Sequence, residues 1–175
     1  GNSKTMSALF SELKIKKINF RNRIFVSPMC QYSSRDAMPA DWHLVHLGSR
    51  AVGGAALVMT EATSVSAEGR ISLYDLGIWE NQQFTAFLPI TGFIKKQGAV
   101  PGIQLSHAGR KASTRRPWED GGPLKPSENP WQTLAPSALP FAPEYPTPKE
   151  MNSEDMENVI SQFRQAARNS LYAGF

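Results

Sequence analysis

Apolar positions along this chain change their spacing in a repeating order. The compact apolar run in Arg23-Ile24-Phe25-Val26-Ser27-Pro28-Met29 predicts a fully buried strand. Leu44, Val45, Leu47, Ala51 and Val52 then recur at helical spacing and predict a helix over 42–52, with Asp41 as its N-cap. Gly53-Gly54 close that helix, and the nearly continuous apolar run 55–60 predicts a second strand. After a polar loop (61–79), Phe84, Phe87, Leu88, Thr91 and Ile94 predict a helix over 81–97, which Pro89 kinks or divides. Gly98 ends it and 102–107 reads as a third strand. Val159, Ile160, Phe163, Ala166, Ala167 and Leu171 mark a last helix over 158–173, started by Ser153 with Asp155 and Met156 and ended by Gly174. Ahead of all these, Leu13–Phe20 reads as a short hairpin with Asn19 and Asn22 as turn residues.

Strand and helix alternating three times is the pattern of a parallel sheet with right-handed crossovers. No Gly-x-Gly-x-x-Gly follows any strand, which argues against a dinucleotide-binding Rossmann unit. A (β/α)8 TIM barrel is the natural alternative; it needs roughly 250 residues or more, so three strands supply less than half of it. Helix followed by glycine leads twice into a strand, and the same grammar predicts a further strand beginning at Phe175. Residues 1–175 therefore read as the N-terminal part of one barrel domain, with the sides of its first and third strands left as unpaired edges.

Residues 110–150 interrupt the rhythm. Nine of the thirteen prolines fall between Pro117 and Pro148, interleaved with Trp118, Trp131, Phe141 and Tyr145. A disordered linker gains nothing from exposing such aromatics, so an ordered capping excursion between the third strand and its helix is the better reading.

Composition narrows the classes. An apolar fraction of 41% and a charged fraction of 19% suit a globular domain. No apolar run approaches the ~20 residues that cross a bilayer, and the basic start lacks the apolar core of a signal peptide. One cysteine, Cys30, excludes an internal disulfide and suits the cytoplasm. The net charge of +4 is concentrated in Lys4, Lys14, Lys16, Lys17, Arg21 and Arg23, which alternate with Leu13, Ile15, Ile18 and Phe20 as on a solvated hairpin; no nucleic-acid motif accompanies them.

In a barrel, chemistry gathers at the C-terminal ends of strands. Here those ends are Ser27-Pro28-Met29-Cys30-Gln31-Tyr32, Thr60-Glu61-Ala62-Thr63-Ser64 and Gln104-Leu105-Ser106-His107-Ala108-Gly109-Arg110-Lys111. Gln104 lies inside an apolar strand, where an unsatisfied amide costs about 1–3 kcal/mol. It is either satisfied by neighbouring backbone or serves a heterocycle with adjacent carbonyl and N–H groups. Cys30 and Tyr32 face the same side if the chain stays extended between them. A lone cysteine is most often a small buried hydrophobe, and a thiol nucleophile would need a paired base. His43 and His46 sit at i, i+3 without a third ligand nearby, which favours capping or packing over metal binding.

These clusters resemble the Old Yellow Enzyme family, and within it the bacterial class of xenobiotic reductase A and the "thermophilic-like" ene-reductases. The motifs run in order: Arg21-Asn22-Arg23-Ile24, Ser27-Pro28-Met29-Cys30-Gln31-Tyr32, Asp41-Trp42-His43 with His46, Glu61-Ala62-Thr63, Glu68-Gly69-Arg70-Ile71, Leu76-Gly77-Ile78-Trp79, Gly102 through Lys111, and Ala135-Pro136-Ser137-Ala138. They cover the chain from about Met6 to Phe175. The resemblance implies an FMN-containing barrel that takes hydride from NAD(P)H and delivers it to an activated alkene such as an enone or nitroalkene. It implies that Ser27, Pro28, Met29 and Cys30 border the flavin, that Ala62 contacts the ring through its backbone, and that Gln104 bonds the pyrimidine edge. Tyr32 and Cys30 are then the catalytic candidates, Tyr32 facing the small-molecule substrate and Cys30 tuning the ring through a weak S–H contact. His107, Arg110 and Lys111 take supporting roles. The family's substrate-binding histidine pair, its phosphate loops and much of its subunit contact fall beyond Phe175, so the resemblance also implies a missing C-terminal half, as a second chain or a lost segment, and a homo-oligomer when complete. A fragment without bound flavin is the alternative.

Overall fold

The computed structural model describes residues 7–175; Lys4 of the basic cluster and Met6 lie outside them. The chain opens with an antiparallel hairpin, β1 (Leu13–Ile15) and β2 (Ile18–Phe20). Its turn is Lys16-Lys17, with Lys16 at φ +52°, and not Asn19 or Asn22. Asn19 pairs with Lys14 inside the ladder. Asn22 is buried, donating from Nδ2 to the Gly54 carbonyl at 2.8 Å and accepting the Ile24 N–H at 3.0 Å. The asparagine signal was that of a side chain mimicking backbone, used to tie two segments together instead of to reverse one.

Then follow β3 (Phe25–Val26), α1 (Asp41–Val52), β4 (Leu57–Ser64), β5 (Leu76–Gly77), α2 (Asn81–Ala86), α3 (Leu88–Lys96) and β6 (Val100–Ser106). β3, β4 and β6 form a parallel arc with β4 in the middle, and β5 joins the β3 side of β4 further along, at Thr63 and Ser64. Leu47, Ala51, Val58, Leu76, Ile78, Phe87, Ile90 and Ile94 fill the layer between sheet and helices. Among the described residues β3 and β6 each pair with β4 alone, so both outer edges are open as expected.

That openness corrects the first strand. It is two residues long, and Phe25 is 41% exposed because its ring stands on the uncovered side of the arc, where it meets the Phe20 ring of the hairpin at 4.8 Å. α1 turns Leu44, Leu47 and Ala51 inward as expected, but His43, His46 and Gly48 share that face while Val45 and Val52 are exposed. Gly48 sets this rotation, since a Cβ there would lie 2.9 Å from the Phe93 ring of α3. The N-cap is Ala40, one residue before Asp41. Pro89 divides the second helix as one of the two expected outcomes; it occupies the second position of α3, where its missing N–H has no partner to lose.

The excursion is ordered. Three short 3-10 turns (109–111, 117–119, 126–128) and the parallel pair β7 (Leu134–Ala135) and β8 (Lys149–Glu150) give it shape. It is pinned to the loop after β4 by Trp131 Nε1 donating to the Glu68 carbonyl (2.9 Å) and Thr114 Oγ1 to the Ile71 carbonyl (2.9 Å). α4 (Ser153–Tyr172) starts where Asn152 and Asp155 cap each other reciprocally, at 2.8 and 3.1 Å. Ala166 is buried as its spacing predicts, but Ile160 and Leu171 are exposed. The inward face instead carries Asn169, whose Nδ2 donates to the Ile78 carbonyl at 2.7 Å. Among the described residues no helix is long and apolar enough to cross a membrane.

The glycine grammar has one structural cause. α1, α3 and α4 all end in the Schellman arrangement, with Gly54 (φ +106°), Gly98 (φ +78°) and Gly174 (φ +90°) in the left-handed position. Each time the glycine N–H bonds the carbonyl three residues back (Ala51, Lys95, Leu171), and the next N–H reaches five back (Arg50, Ile94, Ser170). The residue after the glycine is then driven inward: Ala55 and Ala99 are buried, and Phe175 packs edge-on to Phe87 at 5.3 Å. No atom lies within 4 Å of a Cβ placed on Gly54, so the cost of a side chain there is conformational alone. Gly54→Ala should lower stability by about 1 kcal/mol in urea melts, and Gly54→Asn by less, because Asn tolerates this region.

Candidate functional site

The strand ends converge on the open face of the arc. Cross-strand pairs in a parallel sheet share a face, so Phe25, Leu57 and Val100 line its lower part, Met59 and Gly102 its middle, and Ala62 and Gln104 its top. Gln104 is exposed, not buried as its apolar neighbours predict. Ile103 and Leu105 turn outward onto the helical core, which leaves Gln104 on the opposite, uncovered side with only the Ala62 methyl across from it. Beyond β3, Ser27 and Met29 are exposed and Pro28 and Cys30 half-buried on the way into this face.

The β4–β6 register slips between Thr60 and Ala62, making Glu61 the extra residue of a β-bulge. Its side chain is 4% exposed. Oε1 accepts the Gln31 N–H at 3.1 Å, and the Tyr32 amide also points at the carboxylate. His43, fully buried in the first turn of α1, accepts the Ala40 N–H on Nδ1 at 3.0 Å. Its proton therefore sits on Nε2, which has no hydrogen-bond partner and faces Glu61 Oε2 at 3.8 Å. Burial lowers the His43 pKa to about 4 and raises that of Glu61 to about 7, so near neutral pH this is a neutral imidazole beside a half-ionised acid. The capping role expected of His43 is met; the tie to Glu61 was missed. Its signal was a lone acid inside an apolar strand, between Thr60 and Ala62, where strict alternation fails.

Tyr32 sits at φ +49°, so the chain does not stay extended after Cys30, yet the two side chains still lie together and influence each other's protonation. The Tyr32 ring meets Trp118 edge-on at 5.9 Å and lines a cavity of about 280 Å³ with Lys111, Arg115, Phe141 and Tyr145 of the excursion. Burial first, then Cys30 and Asp75, push the Tyr32 phenol up to about 12. Burial, Glu61 and Asp75 raise the Cys30 thiol, against the opposing Ala62 amide. Both groups keep their protons at neutral pH. Of the supporting residues, Arg110 donates to Ser137 Oγ (3.2 Å), Lys111 stands over the Phe141 ring (4.3 Å), and His107 accepts the Gly109 N–H (3.1 Å) while its buried Nε2 is unpartnered. A larger cavity, about 500 Å³, lies under the excursion beside Tyr74, Arg115 and Asp120, away from the strand ends. No cluster that could hold a metal occurs among the described residues.

An exposed amide able to donate and accept, a small residue opposite it, a neutral thiol and two apolar side chains form a donor set suited to the edge of a flat heterocycle. The model of the NADH:flavin oxidoreductase / NADH oxidase family matches residues 8–175. The chain belongs to that family. It is 40% identical over 171 residues to the NADPH dehydrogenase of Geobacillus thermodenitrificans, covering 97% of this chain and 46% of the relative. The Old Yellow Enzyme homologue of Zymomonas mobilis superposes with a TM-score of 0.78 at 27% identity, over 96% of this chain and 46% of that one. Morphinone reductase in complex with tetrahydroNAD gives 0.81 at 24% identity, over 96% and 47%, which speaks for the fold. The arc is thus part of an Old Yellow Enzyme-type (β/α)8 barrel, and the chain spans about half the length of the curated relatives it matches.

The acid and the imidazole oppose one another in pH. Because burial raises Glu61 from 4.5 to about 7, its contribution to stability is present at low pH and lost as pH rises through that window. Because His43 falls from 6.5 to about 4, its contribution is lost as pH falls through that window. Glu61→Gln removes only the first, so the variant's urea midpoint should climb more steeply than the wild type's between pH 4 and 6.5.

Proposed function

We propose that this chain builds the ring-binding wall of an FMN-dependent oxidoreductase that passes hydride from NAD(P)H to an activated alkene. The observation that supports it is the meeting of three strand ends, with Ala62 and the exposed Gln104 amide opposite each other on the open face and the Cys30 thiol close to the Ala62 backbone. FMN bound there would supply hydride transfer between nicotinamide and substrate. Ser27, Pro28, Met29 and Cys30 border its ring, Ala62 meets it through backbone, and Gln104 pairs with its pyrimidine edge. Tyr32, holding its proton, offers a hydrogen bond to the substrate's activating group. Cys30, a neutral thiol without a base beside it, tunes the ring and forms no bond to substrate.

The complete reaction belongs to a closed barrel, in which further strands cover the open edges of β3 and β6 and supply the phosphate site. In that assembly residues 110–150 cap the face, the protein works in the cytoplasm, and its subunits associate into a homo-oligomer.

Flavin retention tests this reading. The chain purified with the rest of its barrel should be yellow, and colourless material that takes up no FMN overturns the proposal. In the same assembly Gln104→Ala should weaken FMN binding about tenfold, the value of one well-made hydrogen bond to a neutral group; unchanged affinity counts against its role. Cys30→Ala should shift the flavin's reduction potential with turnover retained, whereas complete loss of activity would point to a nucleophilic thiol.

A further inference from the structure

We infer that Glu61 is a positioning residue: from the bulge in β4 it grips the Gln31 amide, is backed by His43, and so fixes the turn that carries the Cys30 thiol. A bulge unpairs one residue of the ladder, and a buried carboxylate costs several kcal/mol unless its oxygens are satisfied. Neither expense helps the sheet, whose pairing is otherwise continuous from Leu57 to Ser64. What the bulge does is re-aim one side chain across the end of β3. There Glu61 Oε1 holds the amide that lies between Cys30 and Tyr32, and Tyr32 departs in a left-handed conformation that a non-glycine residue adopts only when held. The second oxygen is faced by the His43 Nε2–H, whose orientation is locked from behind by the Ala40 amide.

The groups facing Glu61 from every packed element are few. The turn after β3 presents Cys30 and Tyr32, α1 presents His43, and the segment before β5 presents Asp75. Asp75 is bound by the Ile71 and Ser72 amides and the Ser72 hydroxyl and does not touch the turn's backbone, whereas Glu61 bonds the Gln31 amide. Of the two acids Glu61 weighs more on Cys30 and Asp75 more on Tyr32. Ionised, Glu61 opposes a thiolate at Cys30, and Asp75 adds to this. The wall then presents S–H rather than S⁻, which is the form a tuning contact requires. Its importance to turnover rests on the flavin-wall reading; the seating of the thiol is a property of the free chain.

Cys30 is the only cysteine, so alkylation by iodoacetamide reports on this thiol alone. Rates are measured from about pH 7 to about pH 11.5, to reach the plateau of a thiol raised above the ordinary value, on the 175-residue chain and on Glu61→Gln and Glu61→Ala. Glu61→Gln keeps an acceptor for the Gln31 N–H but removes the charge; its midpoint should fall by about one pH unit with the high-pH plateau nearly unchanged. Glu61→Ala removes both, and its plateau rate should also rise about tenfold as the turn loosens. Profiles coincident with wild type in both variants overturn the inference. So does a raised plateau with an unmoved midpoint in both, which would mean support of the fold only. Should Glu61→Ala fail to fold, the midpoint of the isosteric Gln variant decides alone. Either result is independent of flavin retention, so the wall and its positioning residue stand or fall separately.

Discussion

β4 is the strand on which the other sheet elements depend. Among the described residues it alone carries ladders on both edges: seven pairs to β6 on one side, then β3 and β5 in succession on the other. A parallel strand of this kind must be apolar on both faces, which is why Val58 turns to the helices while Leu57 and Met59 line the inner face. The one break in its regularity is Glu61. Without the bulge the ladder would run from Thr60–Ile103 directly to Glu61–Gln104, and the inner wall would lose its small residue opposite the amide.

The two ends of the arc divide labour in the manner of barrels. At the lower end the Arg21 guanidinium donates to the carbonyls of Ala51 (2.9 Å), Ala55 (2.9 Å) and Gln97 (2.7 Å), collecting the C-terminal ends of α1 and α3. A cation is favoured there by the helix dipoles, and one planar fork fixes where β4 and β6 begin. Asn22 does similar work at the Gly54 carbonyl. These contacts are charge-assisted or buried and concern the scaffold. At the upper end the polar groups are left partly unpartnered: Gln104 is exposed, and among the described residues His43 Nε2 and His107 Nε2 are buried without a hydrogen-bond partner.

Much of this was legible in residue types whose physics is local. Gly54, Gly98 and Gly174 announced helix ends because only a residue without Cβ takes the left-handed turn cheaply, and Pro89 announced a break because it lacks an N–H. The strand-end clusters could be located because strand and helix alternate regularly. What failed depended on the third dimension. Val45 and Leu171 read as core residues, yet the rotation of α1 is decided by Phe93 closing over Gly48, and that of α4 by Asn169 reaching the Ile78 carbonyl. Gln104 read as buried because its strand neighbours are apolar, and the exposure of its face depends on how far the arc curves round. Glu61 was visible as a letter, but its role follows from a register slip that composition does not encode.

The electrostatics of the upper end give its chemistry a direction. Two buried acids, Glu61 and Asp75, lie near Cys30 and Tyr32, and both oppose negative charge on either group. A site meant to generate a thiolate or phenolate would place cations there. Arg110 and Lys111, the cations after β6, are engaged with Ser137 and the Phe141 ring instead. The wall therefore offers protonated donors and a neutral amide, and the acids behind it disfavour a further negative charge at this face. Burial raises Glu61 to about 7, so its charge, and with it the field at Cys30 and Tyr32, changes near neutral pH.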